Sequence, residues 1–321
     1  MTQPTNLNQL IAVTENSADV LGKIVYFSLS DVMIDREKLQ EICDSMGIPY
    51  SGGVRQTDAN AFRRATSDLY DRLKDSEHIF KVYCRDNEKS GDMLSRELVK
   101  ETLDASTNRY VKLANIQYQS STGRLLLMNP EYDPLVSPYP YFRKAEELFE
   151  KYKRCAGRKH IETLTSNLLD AMQAVKINIH GRLYFVPYTH MEQVSLFEDF
   201  VEELNAYNLS HNLLTVNSMH VMDNEKLRKK MAVEFYQSVR KEIALYQEKV
   251  ECLLSSGSHS PSIMYRWVNK IDALEGKKQE YESVLRQNLD QLDDEFATLR
   301  VFSQELSRQA RQCEMQQSKA A

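Results

Sequence analysis

The 321 residues are 42% hydrophobic and 27% charged with a net charge of −5, as expected of a folded chain with two domains or three small ones. With only 10 glycines and 8 prolines, the chain favours long regular elements over elaborate loops, which weighs against Gly-rich nucleotide-binding enzymes. No apolar run approaches the ~18 residues of a membrane span, and no basic-then-apolar export signal opens the chain. Five cysteines (Cys43, Cys84, Cys155, Cys252, Cys313), odd in number and without a C-x-x-C pair, point to reduced thiols in a cytoplasmic protein without membrane contact.

Residues 1–20 lack apolar periodicity and read as a flexible tail. The β-branched and aromatic run Lys23–Leu29 reads as a strand. Asp35 caps a helix with Leu39, Ile42, Cys43 and Met46 on one face, ending at Gly47. Pro49 and Gly52-Gly53 predict a turn. A second helix is expected from Thr57 or Asp58 to Lys74, with Phe62, Ala65, Leu69, Tyr70 and Leu73 on its apolar side. From Ile79 the period falls from 3.6 to 2. Ile79–Cys84, Leu94–Leu103, Tyr110–Tyr118 and Arg124–Met128 predict a four-stranded antiparallel meander, apolar on one face and covered by the first helices.

Half of the prolines (Pro130, Pro134, Pro138, Pro140) mark 130–140 as a linker between domains. Beyond it, Phe142–Cys155 and Ile161–Val175 are amphipathic helices separated at Gly157, and Lys176–Pro187 is a hairpin turning at His180-Gly181. A helix from Met191 to Tyr207 and a strand at Leu213–Val221 follow. Asn224–Ser255 is a long helix. Past a Ser-rich linker, another is expected from Pro261 to Gln316, with a coiled-coil seam that includes Leu285, Leu289, Leu292, Phe296, Leu299, Phe302 and Leu306 and a stutter across Leu285. At 1.5 Å per residue these helices would measure about 50 and 80 Å, leaving roughly 30 Å of seam to be covered by the chain's own domains or by another chain, and self-association is expected.

The fold class expected is therefore α+β, in three parts. A helix-plus-meander domain spans 21–129, a winged-helix-like domain spans 141–222, and an antiparallel coiled-coil hairpin spans 223–321. Helix, helix and hairpin in succession are the outline of a winged helix, whose second helix enters a DNA groove while the wing touches backbone. Residues 141–187 carry nine basic side chains, Arg143, Lys144, Lys151, Lys153, Arg154, Arg158, Lys159, Lys176 and Arg182, against five acidic ones. Such local excess suits phosphate contact, because neutralised phosphates release counterions. The reading helix is poor: only Thr163, Thr165, Ser166 and Asn167 could address bases. Arg63 and Arg64, adjacent on the second helix, form a separate phosphate-clamp candidate.

Catalytic signatures are missing. There is no phosphate-binding glycine motif, no G-x-S-x-G and no zinc-type histidine spacing, so no catalytic residue, metal or cofactor is expected. Asp86-Asn-Glu-Lys89 has the residues of a metal-dependent nuclease but reads as a charged turn. Cys155, beside Arg154 and Arg158, could carry a lowered thiol pKa, although a cysteine on an amphipathic face is more often core.

Gly181-Arg-Leu-Tyr-Phe-Val-Pro187, with Ala61-Phe-Arg-Arg-Ala-Thr66 and the later long helix, resembles a Gly-Gly-x-Tyr-Phe-Val-Pro signature. That signature belongs to an uncharacterised family of bacterial, archaeal and phage or plasmid proteins; His180 stands where the pattern has its first glycine. The resemblance implies a mobile-element setting and no reaction. The function expected is a non-enzymatic, oligomeric assembly or adaptor protein that contacts DNA or an unidentified protein partner. A sequence-specific winged-helix regulator is the alternative, and a metal-dependent nuclease a distant third.

Overall fold

Apolar alternation and helix capping place most elements where the sequence predicts them, yet the elements combine differently. The computed structural model describes residues 20–50, 52, 57–76, 78–87, 92–103, 109–177, 182–210, 212–255 and 260–320, with side chains through 316. The predicted tail, the hairpin turn at His180-Gly181 and most of the linker before Pro261 lie outside the described residues. The protein is a mixed α+β chain in two units: Met1–Ser30, Thr163–Asn205 and Leu213–Ala321 form unit 1, while Asp31–Glu162 and Ala206–Asn212 form unit 2. Three consecutive parts were expected; two units interleaved in sequence form, because the first strand pairs with later strands and not within the 21–129 segment.

In unit 2, β2 (Met33–Asp35) leads into α1 (Arg36–Ser45), where the Asp35 carboxylate accepts a hydrogen bond from the Glu37 amide at 3.0 Å, the N-cap read from the sequence. Thr57 caps α2 (Asp58–Ser67). This helix stops seven residues earlier than its apolar spacing suggests, and Tyr70–Lys74 is instead the edge strand β3. Arg96 of the sheet holds the last turn of α2: its guanidinium donates to the Arg63 carbonyl (3.1 Å) and to the hydroxyls of Thr66 (3.1 Å) and Ser67 (2.6 Å).

With β4 (Ile79–Asp86), β5 (Met93–Thr102), β6 (Arg109–Gln119) and β7 (Arg124–Met128), the meander has five antiparallel strands rather than four, in sequence order. A bulge at Leu98/Val99 bends β5 against β6. One face of this curled sheet carries Val82, Cys84, Leu98, Ile116, Tyr118 and Leu125, which share a core with α2 and with α3 (Pro138–Arg154). The Tyr118 ring lies 6.0 Å from Phe62 and 5.5 Å from Phe149. Pro138 opens α3 inside the predicted linker, at a position where its missing N–H costs nothing. After α3, β8 (Cys155–Gly157) pairs with β2, and α4 (Arg158–Ala171) follows.

Unit 1 is built on a four-stranded antiparallel sheet ordered β11-β1-β10-β9, from Thr215–Met222, Val20–Ser28, Leu183–Pro187 and Val175–Lys176. The predicted hairpin contributes only two short strands. A third strand, β1, lies beside β10. Gly22 makes that closeness possible: a Cβ there would lie 2.0 Å from the Val186 carbonyl oxygen. Phe27 of β1 meets Phe197 of α5 (Met191–Ala206) edge-on at 5.2 Å, while Leu21 and Phe185 join a second core with three long helices.

Those helices are α6 (Glu225–Ser255), α7 (Pro261–Leu285) and α8 (Asp293–Ala320). The single helix expected over 261–316 is therefore two. Arg286 adopts φ 52°, ψ 41°, its amide and that of Gln287 bond back to Ser283 and Glu282, and a 3-10 turn at Asp290–Leu292 leads into α8. Tyr265 with Glu314, Glu275 with Arg300 and Lys278 with Asp293 register α8 antiparallel to α7. The rings of Phe235 and Tyr281 (4.6 Å) and of Tyr246 and Trp267 (5.4 Å) set α6 antiparallel to α7 as well. The seam is consumed inside the chain: Leu285, Leu289, Leu292, Phe296, Leu299 and Leu306 are at most 1% exposed, and Phe302 packs against them half-buried. No 30 Å overhang exists to demand another chain.

Phe296→Ala should therefore destabilise unit 1 by about 3–5 kcal/mol, lowering the melting temperature while the mass in solution stays constant. A variant that melted normally but sedimented at a smaller mass would place the seam between chains instead.

Candidate nucleic-acid interface

Two basic segments that are distant in sequence meet where β2 pairs with β8. The register Met33↔Gly157, Ile34↔Ala156 and Asp35↔Cys155 sets the N-terminus of α1 beside the end of α3 and the start of α4. Arg154 bonds Asp35 at 2.6 Å and stays 68% exposed; Arg158, 52% exposed, reaches Glu162 at 2.9 Å. Arg64 of α2 crosses to the same place. Its guanidinium lies over the Tyr152 ring, 4.3 Å from the centroid, and a Cβ on Gly157 would come within 3.1 Å of its Nη1. Gly157 thus lies against the end of the Arg64 side chain. Tyr152 in turn donates to the Asp68 carboxylate, and burial with that hydrogen bond pushes its hydroxyl up to about 12.

Lys151 donates to the Leu209 carbonyl at 3.2 Å, and Lys153 sits 3.4 Å from Glu150. With Arg154, Glu147 and Leu209 these groups line one shallow groove. All three cations occupy the last turn of α3, where the helix dipole favours positive charge, so the arrangement is stable without a ligand. Sequence reasoning missed Arg36, which joins the group from below: it donates to the Gly52 carbonyl (3.0 Å) and faces His160 Nε2 (3.2 Å). No periodic signal could have found it, since both contacts are long-range.

The structure divides the predicted contact set. Arg63, Arg64, Arg143, Lys144, Lys151, Lys153, Arg154, Arg158 and Lys159 belong to unit 2, whereas Lys176 and Arg182 belong to unit 1. Lys176 is exposed on β9, and Arg182 lies over the Phe27 ring at 5.6 Å. Of the four base-reading candidates on α4, Thr165 is buried, while Thr163, Ser166 and Asn167 are exposed. Asp86 pairs with Arg96 at 3.1 Å; Glu88 and Lys89 lie outside the described residues. Among the described residues no three His, Cys, Asp or Glu side chains converge as metal ligands, and no helix is long and apolar enough to cross a membrane.

Cys155 is core. Burial, reinforced by the Asp35 carboxylate, pushes its thiol up despite Arg154, the reverse of the lowering its basic neighbours suggested. Burial raises Cys43 to about 11 and Cys84 to about 12. At pH 8, peptide mapping after alkylation should show the exposed Cys252 modified roughly a hundredfold faster than Cys43, Cys84 or Cys155. Rapid labelling of Cys155 would contradict its placement.

The model of a family of unknown function, DUF6744, matches residues 20–312, and the chain belongs to that family. No curated protein and no solved structure matches the chain.

Proposed function

We propose that this protein is a non-enzymatic adaptor that contacts duplex DNA through the basic surface of unit 2. One observation carries the reading: Arg64, read from the sequence as a separate candidate, lies over Tyr152 and beside Gly157, in the stretch of chain that also carries Arg154 and Arg158. Phosphate neutralisation by such a cluster supplies affinity that is salt-dependent and indifferent to sequence. Burial of Thr165 removes one of the few groups α4 could offer to bases, which favours sequence-independent contact over a winged-helix regulator. A protein partner, or a second copy of the chain, would complete the adaptor. It would dock away from the α7–α8 seam, which is internal. The phage, plasmid or defence setting suggested by the hairpin resemblance belongs to the same reading.

Fluorescence anisotropy with a random-sequence duplex across a salt series tests it. Lys153→Ala with Arg158→Ala removes two cations whose carboxylate partners are surface neighbours one turn away, so the fold should persist. The slope of log K against log salt should fall in magnitude by about 1.8. An unaltered slope would remove this surface from the account.

A further inference from the structure

The sheet face opposite α2 and α3 carries a second set of groups. Cross-strand register puts Tyr83, Val99 and Lys112 in one row, Arg85, Glu97 and Asn115 in the next, and Ser95 opposite Gln117 beyond them. Among the described residues, three polar oxygens here are buried without a hydrogen-bond partner: Ser95 Oγ, Asn115 Oδ1 and Gln117 Oε1. Asn115 as a whole is only 7% exposed. Unpaired buried oxygens are costly, and three on adjacent positions of two neighbouring strands mark a place built for a ligand's donors.

What surrounds them identifies the ligand chemistry. Lys81 lies over the Tyr83 ring at 4.0 Å, and Arg85 lies over the Tyr110 ring at 4.4 Å. Tyr110 is 55% exposed. The same face carries six cations, Arg72, Lys74, Lys81, Arg85, Lys112 and Arg124, against the carboxylates of Glu97 and Glu101, an excess of positive charge in a chain of net charge −5. Glu97 bridges Arg85 (3.8 Å) and Lys112 (3.3 Å), holding both cations over the sheet. An exposed aromatic plane and several cations on one sheet face suit unstacked bases joined by phosphates.

We infer that the meander face opposite α2 and α3 binds single-stranded nucleic acid, with Tyr110 stacking a base beside the Ser95–Asn115–Gln117 row and the flanking cations meeting phosphates. The inference extends the nucleic-acid reading but uses none of the residues of the basic cluster, so either surface can fail alone.

Anisotropy with labelled single-stranded RNA, single-stranded DNA of the same sequence and the corresponding duplex, on the full-length protein, tests it. Either single strand should bind at low salt, and the tighter of the two assigns the natural ligand. Tyr110→Ala should weaken that binding about tenfold, and Lys112→Ala should reduce its salt slope by about 0.7. Both positions are on the sheet surface, so melting temperatures should hold. Lys153→Ala with Arg158→Ala should leave single-strand affinity unchanged. Absence of single-strand binding, equal affinity of the Tyr110→Ala protein, or loss only in the Lys153/Arg158 variant would overturn the inference.

Discussion

At Arg286 the backbone turns through the left-handed region, and the whole C-terminal arrangement follows from that turn. Left-handed geometry costs a non-glycine residue about 1–2 kcal/mol, so the turn must be held from outside. The amides after Val284 bond back to the end of α7, the Leu289 amide donates to the Glu282 carboxylate at 2.9 Å, and Arg286 itself reaches Asp223 at 3.3 Å. Asp293, Asp294 and Glu295 then open α8 with negative charge at its positive end. Once the chain reverses, the apolar seam that would otherwise have faced water closes on α6 and α7. Burying a Leu or Phe side chain contributes about 1.5–3 kcal/mol, and several such residues outweigh the strain of one turn.

Tyr281 links this bundle to the sheet of unit 1. Fully buried, it lies 6.0 Å from Phe185 and donates its hydroxyl to the carbonyls of Gln173 (3.0 Å) and Phe185 (3.3 Å). A buried phenol without such acceptors would be costly, so the path of β9 and β10 and the position of α7 are mutually required. The Lys277 ammonium, next to the β9 approach, donates to the Ala174 carbonyl at 2.6 Å and ties the same two segments. The hairpin that outlined a wing in the sequence is thereby a structural edge of unit 1. In unit 2 the meander keeps one face for its core and leaves the other to polar groups, and it is on unit 2 that both proposed nucleic-acid surfaces lie.

Local chemistry was legible in the sequence. The caps at Asp35 and Thr57, the period-2 strands from Ile79 onward and the Pro-initiated helices at Pro138 and Pro261 all rest on residues within a few positions of one another. Pairings across long separations were not. Tyr70–Lys74 has helical spacing and became a strand because β4 offered an edge to pair with. β1 gives no sign of its partners, which are more than 150 residues distant. The stutter at Leu285 was visible and misread: with Asn288, Asp290 and three further acids after it, it marks a helix end followed by a helix start. The basic residues were legible as a composition, but the packing of Arg64 over Tyr152 and beside Gly157 was not.

The fold-back at Arg286 is the claim on which the rest of the C-terminal structure depends. Pulsed electron spin resonance between labels at positions 265 and 314, in a protein whose Cys252 and Cys313 are replaced, measures it directly. The antiparallel packing of α7 and α8, in which Tyr265 bonds Glu314 at 3.2 Å, predicts a short label separation, on the order of 20 Å or less once the helix diameter and label reach are allowed for. A distance on the order of 70 Å, the length of 49 uninterrupted helical residues at 1.5 Å each, would contradict it and restore the single long helix.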